Sequence, residues 1–176
     1  MIELDPLSPD AYNELGWALM FAGRDAEALA QFKKGLDLDP RFAQSHRLLA
    51  GFYVRKGMND EAVVHMRKTE SFMDETRPAY WLGSLALYYA QAGRREDARR
   101  ILGELELRTK TEYVSASALA RVYLGLGEKE KALRFLEKAF EDRDISLVWL
   151  NVDWGYDPLR SEPRFQDLLR RMNFPP

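Results

Sequence analysis

Four glycines at near-constant spacing constrain this chain more than any other feature. Gly23, Gly57, Gly93 and Gly127 stand 34, 36 and 34 residues apart. Other columns keep step with them. Five residues after each glycine comes Ala28, Ala62, Ala98 or Ala132, and four further on Phe32, Met66, Leu102 or Leu136. Eight residues before each stands Leu15, Leu49, Leu85 or Leu119, followed by a small residue (Gly16, Ala50, Ala86, Ala120) and, three later, Leu19, Tyr53, Tyr89 or Tyr123. Self-similarity at such a period marks a unit that cannot bury its apolar face alone and must stack on its neighbours.

The columns have a physical reading. Positions three and four apart share one face of a helix, so the leucine, small residue and tyrosine form a packing stripe. The small residue admits a second helix, which answers with its own alanine. The glycine between them supplies the left-handed conformation that ends a helix. Acidic residues then open the second helix, at Glu27, Asp60 and Glu61, Glu96 and Asp97, and Glu130, where the exposed amides favour negative charge. Ser8-Pro9 reads as an N-cap followed by a first-turn proline. Each unit is a helix, a tight turn and an antiparallel helix.

On these columns the chain resembles the tetratricopeptide repeat family over roughly residues 9–144. The resemblance implies an all-α, right-handed α-solenoid of helical hairpins, read as one domain. Its repeats span 9–42, 43–76, 77–112 and 113–144, with a C-terminal cap over 145–176. IELDP at 2–6 repeats LDLDP at 36–40, so residues 1–6 read as the tail of a preceding repeat and the first hairpin as lacking its neighbour. The aromatic of the first helix is kept as Tyr12 but becomes His46, Leu82 and Ala116, and the closing proline is lost after Pro40. The longer second-to-third spacing places two extra residues in MDETRP, before Tyr80. In the cap, 145–152 reads as a short helix and 163–172 as an amphipathic helix with Phe165, Leu168, Leu169 and Met172 on one face. DPLRSEPRFQDLLRRM also resembles the segment closing the repeat region of large bacterial signalling proteins, which implies a module of a longer protein.

Chemistry is sparse. The chain has no cysteine, so thiol catalysis, disulfides and cysteine-bound zinc are excluded. A formal net charge of −2 gives no basic excess for nucleic acid. No apolar run approaches the ~20 residues of a membrane span, and the acidic start does not resemble a signal peptide. A cytoplasmic location is expected, or an extracytoplasmic one if the chain belongs to a membrane-anchored protein. His46 and His65 lack ligand spacing and a carboxylate motif, so no metal site is expected. Gly125-Leu126-Gly127 follows a helix and lacks the GK[ST] ending, so it reads as a turn. The pairs Arg94-Arg95, Arg99-Arg100 and Arg170-Arg171 stand beside Glu96, Asp97 and Asp167 as solvated helix faces. No catalytic residue and no cofactor is expected; an enzyme ranks third among the readings.

Binding is what the resemblance implies. First helices of such hairpins line a concave groove with the positions not used for packing. Here these are Asn13, Trp17, Met20 and Phe21, then Gln44, Arg47, Val54 and Arg55. Tyr80, Ser84, Leu87 and Gln91 follow, and last Ser117 and Arg121. The expected partner is a protein or peptide, an apolar segment whose acidic flank meets Arg47, Arg55 or Arg121. The clamp by which some members hold a C-terminal carboxylate is absent, since its positions carry Asn13, Trp17, Leu48, Tyr80 and Ser84. The alternative is a homodimer formed through the uncovered first hairpin.

Overall fold

A computed structural model describes residues 7–174. Residues 1–6, read above as the tail of an earlier repeat, lie outside the described residues. The described chain is helical. Its elements are α1 (Pro9–Phe21), α2 (Asp25–Leu38), α3 (Ala43–Arg55), α4 (Asn59–Phe72), α5 (Ala79–Gln91), α6 (Arg95–Arg108), α7 (Ala116–Gly125) and α8 (Lys129–Glu141). Two 3-10 turns, Ile145–Trp149 and Trp154–Leu159, lead to α9 (Pro163–Arg171). The helices pair consecutively as tetratricopeptide-type hairpins. The chain groups into two compact units, with the boundary between Arg77 and Pro78. The connection there, residues 73–78, is two residues longer than its counterpart at 39–42, so the irregular spacing in the sequence falls at the unit boundary.

In the first unit α1 packs on α2, α3 on α4, and both α1 and α2 on α3. Leu19, Met20, Ala28, Phe32, Leu48, Leu49 and Phe52 form its core. Gly16 shows why the small column is needed. A Cβ there would lie 2.6 Å from the Phe32 ring, so the glycine lets that ring lie flat on α1. Gly23 ends α1 at φ +73°, and the amide after it, Arg24 N, donates to the Leu19 carbonyl at 2.9 Å. The same closure recurs from Met58 to Tyr53, Arg94 to Tyr89 and Glu128 to Tyr123. Pro9 opens α1 as expected, but the Ser8 side chain makes no capping bond. Leu15 departs from its column: it is 39% exposed where Leu49, Leu85 and Leu119 are buried. No hairpin precedes it among the described residues.

In the second unit α5 packs on α6 and α7, and α7 on α8. The backbones of α5 and α7 touch at two places. A Cβ on Gly83 would lie 2.6 Å from the Ala118 carbonyl oxygen, and one on Gly125 would lie 2.9 Å from Leu87 Cα. On α6 Ala98 and Leu105 keep the register of the other second helices, but the buried residue between them is Ile101, with Leu102 half-buried. The cap expected after the fourth hairpin is present. α9 buries Phe165, Leu168 and Leu169, with Met172 at the margin, and packs against α8. Arg164 donates to both carboxylate oxygens of Glu137, at 2.8 and 2.7 Å. The segment expected as a short helix over 145–152 forms a shorter 3-10 helix, Ile145–Trp149, with Leu147 inward and Ile145 83% exposed.

Candidate peptide-binding faces

Fourteen side chains were expected to line a groove on the first helices, and the two units place them differently. In the first unit, Asn13, Met20, Arg47 and Val54 are buried. Asn13 is internal because Ser45 Oγ donates to its Oδ1 at 3.0 Å, tying α1 to α3 over Gly35. These four are therefore packing groups and not open groove residues. Trp17, Phe21 and Gln44 are half-buried. The Trp17 and Phe21 rings meet edge to face with centroids 4.8 Å apart. Arg55 is positioned by donating to the Met20 carbonyl at 3.0 Å and lies 3.6 Å from Asp25, which also pairs with Lys56.

In the second unit the corresponding face is already filled. Ser84, Leu87, Ser117 and Arg121 are buried, Tyr80 is half-buried and Gln91 is exposed. The cover is the chain's own turn at Asp153–Tyr156. Arg121 Nη2 pairs with Asp153 Oδ2 and donates to the Tyr80 hydroxyl at 3.0 Å. Its guanidinium carbon lies 4.9 Å from the ring centres of both Tyr80 and Tyr156. Burial opposes charge on Arg121, but Tyr156 and Asp153 hold its pKa well above the ordinary value. Burial likewise pushes the Tyr156 hydroxyl up, so it stays neutral. Trp154 stacks on Tyr88 at 5.8 Å with planes 9° apart. Gly155 N donates to Asp153 Oδ1 at 2.8 Å, closing the turn. A Cβ at Gly155 would lie 2.8 Å from Leu87 Cδ2, so only glycine sits there without displacement.

Ser117 has a different task. Its hydroxyl lies 2.7 Å from that of Ser115 and 2.6 Å from that of Ser146. Both neighbours donate to Asp144, at 2.9 and 2.8 Å. Burial would raise the Asp144 carboxyl, but these hydroxyls together with Ser117 and the Ser146 amide hold it below its ordinary value. The cluster pins the first 3-10 turn to the start of α7. Composition did not reveal Asp153, Trp154 and Tyr156 as site residues. Asp153, the partner of Arg121, lies 32 residues away in sequence and outside the repeat columns.

The two histidines meet. His46 Nδ1 and His65 Nδ1 are 2.9 Å apart, and His46 Nε2 is 3.0 Å from the Pro40 carbonyl. A carbonyl only accepts, so His46 carries its hydrogen on Nε2 and its Nδ1 accepts from His65. Burial lowers both pKa values. That of His65 falls to about 4, through burial first and then through His46 and Lys68. Among the described residues no group of three or more histidine, cysteine or carboxylate side chains could hold a metal ion. Arg94 and Arg100 lie 3.2 and 4.0 Å from Asp97 and Arg170 lies 3.2 Å from Asp167, whereas Arg95 donates to the Leu126 carbonyl at 2.7 Å and Arg171 lies over the Phe140 ring. No helix among the described residues is long and apolar enough to cross a membrane.

Comparison with known families agrees with this architecture. Residues 9–42, 81–104 and 114–143 each match a family model described as tetratricopeptide repeat. No curated protein matches the chain. From its repeat columns, its hairpins and these three matches, the chain belongs to the tetratricopeptide repeat family.

Proposed function

We propose that this chain is a non-catalytic interaction module that takes a peptide segment of a partner protein on the inner face of its first helices. Tetratricopeptide repeats mediate protein–protein interaction. One observation carries the reading. On α5 and α7, side chains outside the packing columns already enclose a turn of peptide, gripping it by charge, ring stacking and a close glycine contact. On α1 and α3 the corresponding positions Trp17, Phe21, Gln44 and Arg55 remain partly open. Aromatic and arginine side chains of this kind are the usual anchors of an interface. The partner that suits them is an apolar or aromatic segment with an acidic flank. The resemblance of residues 157–172 to the closing segment of bacterial signalling proteins supports a cytoplasmic module of a longer bacterial protein.

A photo-cross-linking amino acid at Phe21 or Gln44 of the full chain tests this. The reading expects capture of one partner from these two positions and none from Val64, which is exposed on α4. Equal capture from Val64 contradicts it.

A second reading, self-association, is supported by a separate observation. Leu7, just before α1, and Leu15 on α1 are both exposed. Exposed apolar side chains on one hairpin favour association with a second molecule.

A further inference from the structure

The turn on α5 and α7 has the features of a bound ligand more than those of a core element. A core does not need Arg121. Taking an arginine and an aspartate out of water costs several kcal/mol per ion in general, and well-packed apolar side chains would fill the same space at equal or better stability. What the pair provides is selectivity: a guanidinium fixed between two tyrosine rings accepts a carboxylate and rejects most other groups. Its Nε has no hydrogen-bond partner, so the interior is not optimised around it as a structural cluster would be. Leu87 adds a steric preference, because a Cβ at position 155 would lie 2.8 Å from its Cδ2 and require that side chain to shift. Tyr88 adds an aromatic one by stacking on Trp154. The face therefore reads four consecutive features: a carboxylate, an aromatic ring, a glycine and a second aromatic ring.

The occupant is also held outside the α-helical frame. Asp153 caps the second 3-10 helix and Trp154–Tyr156 form its first turn, whose hydrogen-bond geometry is poorer than that of an α-helix. The segment leaves α8 through Arg143, a non-glycine residue held at φ +55°. Ile145, Val148 and Val152 turn outward to solvent.

We infer that the inner face of α5 and α7 is a recognition site for an Asp-aromatic-Gly-aromatic turn, and that residues 153–156 hold it as a built-in competitor. A partner protein engages this face by displacing that turn with one of the same chemistry. The inference rests on the reading of the chain as a peptide-binding module and names the chemistry of a second face. Tethering gives the internal turn a high effective concentration, so the site is closed to weak ligands and opens to a matched one.

The probe is a fluorescent synthetic peptide of residues 150–160, titrated into the full chain. The Asp153→Ala/Tyr156→Ala variant, with its own turn disabled, is expected to bind the peptide at least tenfold more tightly than the unaltered chain. Adding Arg121→Gln to that variant, or replacing the aspartate of the peptide by asparagine, is expected to lose at least tenfold. Binding no tighter than that of the unaltered chain, in a variant that keeps its helical circular dichroism, overturns the inference. So does binding indifferent to Arg121. If the double variant loses its helix signal, Trp154→Ala removes only the ring stacked on Tyr88 and carries the same expectation at smaller amplitude. Light scattering of the unaltered chain that shows dimers formed by exchange of residues 144–176 overturns the separate partner. Failure here leaves the α1–α3 face untouched, because that face is tested by cross-linking from Phe21 and Gln44.

Discussion

Arg121 on α7 and Asp153 between the two 3-10 turns form an ion pair from which water is excluded, their side chains being 2% and 5% exposed. The pair joins the last repeat to the cap across 32 residues of sequence. It determines which part of the expected groove is open. In the second unit, the side chains that family resemblance assigns to ligand binding are held by the chain itself.

Two glycines in helices should respond to alanine in opposite directions. Gly83→Ala sets a Cβ against backbone atoms of Ala118, which cannot rotate away. We expect a loss of ~1–3 kcal/mol or more from overpacking. Gly103, exposed on α6, has nothing within 4 Å of its Cβ position, and Gly103→Ala should gain ~0.5–1 kcal/mol from helix propensity. Urea unfolding of both variants checks the pair of signs.

Acid should weaken the first unit through its histidine pair. Both histidines have folded pKa values below the ordinary 6.5, and that of His65 lies at about 4. The folded state then binds fewer protons than the unfolded one between these values. Its stability is whole above about pH 6.5 and falls as pH drops toward about 4. The charged groups acting on the pair are Lys68, which opposes protonation of both rings, and Asp39, which favours it on His46. Melting temperatures at pH 7 and pH 5 should differ less in His65→Phe than in the unaltered chain. An equal difference would place the acid sensitivity elsewhere.

Exposed leucine on the first hairpin makes the second reading testable. If Leu15 contributes to self-association, the weight-average mass from light scattering rises with concentration, and Leu15→Glu returns it to the monomer value. A monomer throughout removes this reading and leaves peptide binding unaffected.

The sequence reveals the hairpins because each repeat column has one physical task, such as Gly16 against Phe32 or Gly23 at the left-handed helix end. The extra length in MDETRP is likewise visible, as the longer connection at 73–78. The filling of the second face is not. Asp153, Trp154, Gly155 and Tyr156 lie outside the repeat register, and 3-10 turns carry no 3.6-residue pattern to announce which side chains face inward. Arg121 therefore reads as an exposed anchor until its partner is seen. Asn13 misleads for a similar reason. Its burial depends on a hydrogen bond to Ser45 in the next repeat, and a polar residue in a groove column gives no sign of such a bond.

A double-mutant cycle on Arg121 and Asp153, read by urea unfolding, tests most directly whether the turn is gripped through this charge. Arg121→Met and Asp153→Leu should each cost ~3–5 kcal/mol alone, because each leaves a buried charge without its partner. Together they should cost much less than the sum, giving a coupling of about 2 kcal/mol or more. Costs that add to within ~0.5 kcal/mol would mean that the two residues act independently, and would contradict the account of how this face holds its turn.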